Sequence, residues 1–144
     1  MHVIPIEEDP VTRLTDRARQ QISSAVAADW PALIALYAPD ASYTDPDVTL
    51  TGSDQVVERL RGQVDAMPGC TAVVRHLNAD VADEAGGSGT VILEWTLTAP
   101  IGADTPVRLD VATVYEFRDG LITAERNYWD NVHLMAQLGV DVEA

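Results

Sequence analysis

With one cysteine, Cys70, in 144 residues, the chain cannot build an internal disulfide framework, and it suits a reducing, cytoplasmic compartment. Basic residues are scarce: nine Lys and Arg stand against 23 Asp and Glu, a formal net charge of −14. That balance disfavours nucleic acid and anionic membranes as partners, because phosphate binding relies on clustered Lys and Arg. The acidity itself reads as a soluble surface. No apolar stretch approaches the roughly 20 residues that a membrane span needs. The opening MHVIPIEEDP has neither a basic region nor a long apolar run and does not read as a secretory signal. Repeats, low-complexity tracts and long internal linkers are missing, so residues 1–144 are expected to form a single domain with its core at about 11–140. No GxGxxG, P-loop, GxSxG or HExxH pattern occurs, and His2, His76 and His133 form no pair with metal-ligand spacing. The expectation is chemistry without a cofactor or a metal.

What is present is an apolar content of 47%, enough for a real core. From Glu8 to Ala28, Leu14, Ala18, Ile22 and Ala25–Val26 recur at helical spacing. Asp29 can cap a second helix, with Pro31 in its first turn, running through Tyr37 and stopped by Pro39-Asp40. A short strand, Ala41 to Asp45, ends against Pro46. Ser53 or Asp54 opens a third helix with Val56, Val57, Leu60 and Val64 inward, ending near Pro68-Gly69. The period then changes. Thr71–Val81, Thr90–Ala99, Val107–Phe117 and Leu121–Asp130 read as strands, and Gly86–Gly89 and Arg118–Gly120 as hairpin turns. Val132 to Leu138 is a last short helix, stopped by Gly139. The pattern is α+β: a curved antiparallel or mixed sheet, three N-terminal helices on one face, and an apolar pocket between them.

Alternation assigns the faces. Leu109, Val111, Thr113, Tyr115 and Phe117 share one side of their strand, as do Val91, Leu93, Trp95 and Leu97, while Asn127 and Trp129 share one side of the last. The polar outer face keeps apolar atoms at Val114 and Tyr128, which suits a homodimer through the sheet.

Tyr43 and Asp45, two apart on a short strand, point the same way, and Ala41 with Tyr43 suggests that this way is inward. A carboxylate placed there loses hydration, which raises its pKa and makes it a better base. From residue spacing alone the other reading comes first, in which Asp45-Pro46 is a turn whose carboxylate caps a backbone amide. His76 on a strand reads first as structural and second as an acid/base. Trp95, Tyr115 and Trp129 read as core or pocket wall, and Tyr37 as core with a hydroxyl within reach of the pocket. Cys70 follows a Pro-Gly turn without a neighbouring base, which argues against a nucleophile.

The runs AADWPALIALYAPDASYTDPD, TGSDQV and VYEFRDGLITAERNYWDNVHLMAQLG resemble the SnoaL-like and ketosteroid-isomerase-like superfamily, whose cone fold is shared by limonene-type epoxide hydrolases. The likeness spans about Val11 to Val140. It implies the cone fold, whereas the reaction varies across the family. In ketosteroid isomerases the Asp matching Asp45 shuttles the proton. Their oxyanion-hole Tyr and Asp match Gln21 and Thr113, neither an equivalent acid. In the epoxide hydrolases the water-holding Tyr and Asn match Tyr43 and Asp45, and a later catalytic Asp matches Asn127. SnoaL-type polyketide cyclases use an Asp near the end of the last strand, which Asp130 resembles. The resemblance thus implies an enzyme acting on a small hydrophobic, polyketide- or terpenoid-like molecule by cyclisation, isomerisation, dehydration or epoxide opening. Asp45 is its expected base, Tyr43 and Asn127 orient the substrate, and Asp130 or His76 is the second acid/base. The rival expectation is a binding or interaction domain on the same scaffold.

Overall fold

A computed structural model describes residues 9–140, so His2 and the expected helix start at Glu8 lie outside the described residues. Helix α1 (Pro10–Val26) begins where the Asp9 carboxylate accepts the Val11 N–H, with Pro10 at the first helical position. Its buried stripe is Leu14, Ala18, Ile22 and Ala25, the spacing expected of an amphipathic helix. Asp29 caps α2 (Trp30–Ile34) through the Ala32 N–H. Then follow strands β1 (Tyr37–Thr44) and β2 (Thr49–Thr51), helix α3 (Ser53–Ala66), strands β3 (Thr71–Val81), β4 (Gly89–Ala99), β5 (Val107–Arg118) and β6 (Leu121–Tyr128), and helix α4 (Asn131–Gln137).

The six strands form one curved, unclosed sheet in the order β2-β1-β6-β5-β4-β3. β3 to β6 form the expected antiparallel meander, and β1 joins β6 in parallel, which makes the sheet mixed. The architecture is α+β, with α1, α2 and α3 preceding the meander. No helix among the described residues is long and apolar enough to cross a membrane.

Two differences from the sequence-based expectation concern the first sheet edge. α2 stops at Ile34, and the chain passes through Pro39-Asp40 as part of β1 instead of ending a helix there. The β1–β6 register shifts between Tyr37 and Ser42, so Pro39 sits exposed in an irregular stretch where a missing N–H costs no ladder bond. Burial of Tyr37 and Ala38 in the sheet outweighs the helical spacing of the preceding residues. Strand β2, too short to read from its pattern, pairs Tyr43 with Leu50 and converts the expected turn after Asp45 into a hairpin.

Two apolar clusters organise the interior. One joins α1, α2 and α3 to the sheet through residues such as Leu14, Leu33, Val56, Leu93 and Ile122. The other gathers Val107, Leu109 and Val111 of β5 against Leu134 of α4. The candidate site lies between them.

Gly89, at the start of β4, has φ of +155°, and a Cβ there would stand 2.3 Å from the Asp80 carbonyl oxygen of the paired strand. Neither backbone can yield easily. Gly89→Ala is expected to cost about 1–3 kcal/mol, read as a lower urea midpoint with an unchanged slope; an unmoved midpoint would contradict this account of the β3–β4 join.

Candidate active site

A cavity of about 250 Å³ opens between α1, α3, α4 and the inner face of the sheet. Its walls are mostly apolar, contributed by residues such as Ile22, Leu60, Leu109, Val111 and Leu134. Among its polar groups are Gln21 of α1, Tyr43 of β1, Asp47 of the turn after it, Arg59 and Gln63 of α3, Tyr115 of β5, Glu125 and Asn127 of β6, and Asn131 of α4.

Glu125 reaches the cavity because of a bulge. The β5–β6 register shifts between Glu116 and Phe117, so Ile122 and Glu125 both turn inward although three residues apart. Alternation then places Asn127 beside Glu125. The Glu125 residue is 2% exposed, and no cation is bonded to it among the described residues. Its partners are neutral donors in two converging chains. In one, the Tyr115 hydroxyl donates to Gln21 Oε1 (2.5 Å), Gln21 Nε2 to the Tyr37 hydroxyl (2.9 Å), and Tyr37 to Glu125 Oε1 (2.5 Å). In the other, Trp95 Nε1 donates to Thr113 Oγ1 (2.9 Å), Thr113 to Asn127 Oδ1 (2.7 Å), and Asn127 Nδ2 to Glu125 Oε2 (2.7 Å). Burial pushes the Glu125 carboxyl up to about 7; the bonds from Tyr37 and Asn127 oppose the shift, and the nearby Asp45 charge adds to it. Tyr37, Tyr43 and Tyr115 are all raised above the ordinary phenol value, by burial first and by the Glu125 charge second.

Asp45 is the opposite case. It is buried too, at 5% exposure, but it does not line the cavity. Arg59 grips it with two nitrogens, Nε to Oδ2 at 2.9 Å and Nη2 to Oδ1 at 3.2 Å. The Tyr43 hydroxyl donates to Oδ2 at 2.8 Å, and the backbone N–H groups of Asp47 and Val48 donate to Oδ1. Burial raises the Asp45 pKa, yet Arg59, the Asp47 amide and Tyr43 together outweigh it, so the net shift is downward. The expectation of a raised, basic Asp45 is therefore corrected. Its carboxylate caps the turn before β2 and anchors Arg59, while Tyr43 and Arg59 stand between it and the cavity.

The other sequence candidates divide clearly. Tyr43, Trp95, Tyr115, Asn127 and Trp129 line the cavity, and Tyr37 and Thr113 stand one hydrogen bond behind it. His76 is exposed on β3, across from Glu94, and Asp130 is exposed as the cap of α4, accepting the His133 N–H at 3.0 Å. The structure does not bring either of these to the cavity. A strand ending at Tyr128 leaves Asp130 to the helix cap, so no bulge turns it inward. Sequence reasoning missed Glu125, Arg59 and Gln63. Glu125 shares the alternation of Asn127, and Arg59 and Gln63 are one helical turn apart, so both signals were present. Among the described residues no group of three His, Cys, Asp or Glu side chains could hold a metal ion. Chemically, the arrangement offers one proton acceptor open to an apolar chamber, with Arg59 and Gln63 on the α3 wall as donors.

The SnoaL-like domain family matches residues 18–125, three quarters of the chain. No protein of curated function matches it. Among solved structures, a Catenulispora acidiphila protein with a ketosteroid isomerase-like fold, in complex with trimethylamine, is 25% identical. It aligns over 88% of this chain and 94% of its own, with a TM-score of 0.70. An LEH-like epoxide hydrolase from M. tuberculosis is similar in fold, with a TM-score of 0.67 at 19% identity, over 90% of this chain and 92% of its own.

The two carboxylates link stability to pH with opposite signs. Asp45, lowered in the folded state, contributes stability that is present above the ordinary carboxylate range and lost as pH falls through it. Glu125, raised from 4.5 to about 7, contributes stability present at acid pH and lost as pH rises through about 7. Glu125→Gln abolishes that loss. Relative to the parent chain, its unfolding free energy is expected to gain on the order of 3 kcal/mol between about pH 4.5 and about pH 8. Urea unfolding across that range checks it, and a constant difference would refute the raised Glu125.

Proposed function

This chain belongs to the SnoaL-like domain family, and from that premise we propose that it is an enzyme moving protons on a small apolar molecule without a cofactor. The carrying observation is Glu125: a buried carboxylate open to an apolar cavity, held by neutral donors and raised to about 7. A base with that pKa is half ionised near neutral pH and has real affinity for a proton. In the proposed step a Glu125 oxygen takes a carbon-bound proton of the substrate, and the electrons of the broken C–H bond move onto a substrate carbonyl or double bond. Return of the proton at a second carbon completes an isomerisation; departure of a hydroxyl that takes the proton back from Glu125 and leaves as water completes a dehydration; attack of the carbon on a carbonyl within the substrate, whose oxygen takes that proton, completes a cyclisation. Epoxide opening would use the same carboxylate to draw a proton from water. Arg59 and Gln63 on the α3 wall, each already donating to Asp45, can offer a remaining N–H to developing oxygen charge. Tyr43, through Asp45, fixes Arg59, and Asn127 fixes Glu125.

The binding-domain alternative draws its support from one feature. The phenols and the Thr113 hydroxyl near Glu125 already donate to protein atoms, which leaves no evident second acid. Turnover decides between them. A panel of enolisable ketones, hydroxyketones and epoxides, followed by mass spectrometry and by solvent deuterium uptake, is expected to show turnover that rises with pH through about 7. Glu125→Gln should reduce it by about 10²–10⁴-fold. An active Glu125→Gln enzyme would remove this base from the mechanism.

The outer face of the sheet is proposed to pack on a second copy of the chain. Val73, Ile92 and Tyr128 are 61%, 53% and 56% exposed there, with Val114 paired to Ile92. Sedimentation is expected to find a dimer, and Ile92→Glu a monomer; a monomeric parent chain would end the proposal.

A further inference from the structure

The deep end of the cavity is one-sided in its hydrogen bonding. Around Glu125, the hydroxyls of Tyr37, Tyr115 and Thr113 and the indole N–H of Trp95 all donate to protein atoms. Both N–H groups of the Gln21 amide face Tyr37 and Glu125. One N–H of Asn127 remains beyond its bond to Glu125. Against that single neutral donor stand the spare lone pairs of a carboxylate. A ligand atom that reaches Glu125 therefore meets acceptors and has to bring its own proton.

Charge points the same way. Arg59 is the cation on the cavity wall, and it is held between Asp45 and Asp47, at 2.9 and 3.5 Å. Those two carboxylates already exceed its positive charge, and ionised Glu125 adds a third. An anionic ligand would enter a chamber of net negative charge lined by low-dielectric walls, whereas a cation would supply what the buried carboxylate lacks. The walls suit a cation as well. Trp95 and Trp129, with Tyr43 and Tyr115, line the same chamber, and aromatic faces attract ammonium groups. The remaining surface is aliphatic.

We propose that this cavity selects a small apolar amine in its protonated form, its ammonium N–H donating to Glu125 and its hydrocarbon lying against Leu109, Val111 and Leu134. The inference goes beyond the catalytic reading, since it concerns what the resting cavity holds, and it does not require turnover.

The groups facing Glu125 fix how binding should vary with pH. Tyr37 and Tyr43 approach from β1, Tyr115 from β5, Asp45 from the turn after β1, and Arg59 from α3, with Asp47 and Cys70 farther along the wall. The three phenols, the Cys70 thiol and Arg59 are shifted upward and Asp45 downward, which leaves Glu125 as the member that changes charge near neutrality. Aliphatic ammonium groups stay protonated throughout.

The test is calorimetric titration of the full chain with cyclohexylamine and with its neutral counterpart cyclohexanol, at about pH 8 and about pH 5.5. The amine is expected to bind at least about tenfold more tightly at the higher pH, following the ionised fraction of Glu125, while cyclohexanol changes by less than about twofold. Cyclohexanecarboxylate is expected to bind more weakly than either. Glu125→Gln should flatten the amine's pH dependence; if that variant does not fold, the comparison of amine with alcohol on the parent chain decides the same question. Equal affinity for amine and alcohol at about pH 8, or tighter amine binding at about pH 5.5, overturns the proposal. Amine binding with no turnover of any substrate keeps this inference and ends the catalytic one; turnover of a neutral ketone with no amine binding does the reverse.

Discussion

Everything distinctive in this chain follows from putting an ionisable carboxylate where water is excluded and giving it neutral donors instead of a counter-ion. Glu125 receives hydrogen bonds from Tyr37 and Asn127, which are themselves held by Gln21 and Thr113. Those bonds recover part of the hydration lost on burial, and their chain-like order strengthens each member. They do not recover all of it. The remaining imbalance leaves a carboxyl that titrates near 7 and opens on an apolar chamber.

Asp45 supplies the contrast within the same molecule. It too is nearly closed to solvent, though set less deeply than Glu125, and desolvation acts on it in the same direction. Arg59, two backbone amides and Tyr43 reverse the outcome, so one carboxylate stays ionised as a structural anchor while the other is poised to exchange a proton. Pairs of acids whose surroundings push them apart in this way are how one fold assigns separate roles to chemically similar groups. The anchor also occupies Arg59, the cation on the cavity wall, through two of its nitrogens.

Much of this was legible in the amino-acid sequence. The three helices, the meander and the inward row of β5 follow from spacing and turn residues, since each element's local preference agrees with its burial. The first sheet edge was harder. Tyr37 to Asp40 looks like a helix running into a proline, and only parallel pairing with β6, residues more than eighty positions later, makes it a strand. At the site, Tyr43, Tyr115, Asn127, Trp95 and Trp129 could be assigned to the cavity from alternation, yet the decisive carboxylate was misplaced. Inward orientation could be read at Asp45; the identity of its neighbours could not. Arg59 lies fourteen positions away on another element, and together with the Asp47 amide and Tyr43 it turns a raised pKa into a lowered one. Glu125 sat unnoticed because acidic residues are abundant here and a charged side chain on a strand is normally read as outward.

Function and stability are set against each other at this point of the fold. An uncompensated buried carboxylate is a cost to the folded state at neutral pH, and replacing its surroundings by a counter-charge would lower that cost. The structure has such a cation within the same chamber, Arg59, and commits it elsewhere, to Asp45 and Asp47. The separation is enforced by backbone as well as side chains, because the turn amides of Asp47 and Val48 hold Asp45 in place from behind. Gln21 on α1, Tyr37 on β1 and Tyr115 on β5 meet across sequence separations of 16 and 94 residues. The donor network can therefore form only when the helices close on the finished sheet. Folding and assembly of the proton-accepting site are one event, and the stability of the two apolar clusters is what holds Glu125 in an environment it would otherwise leave.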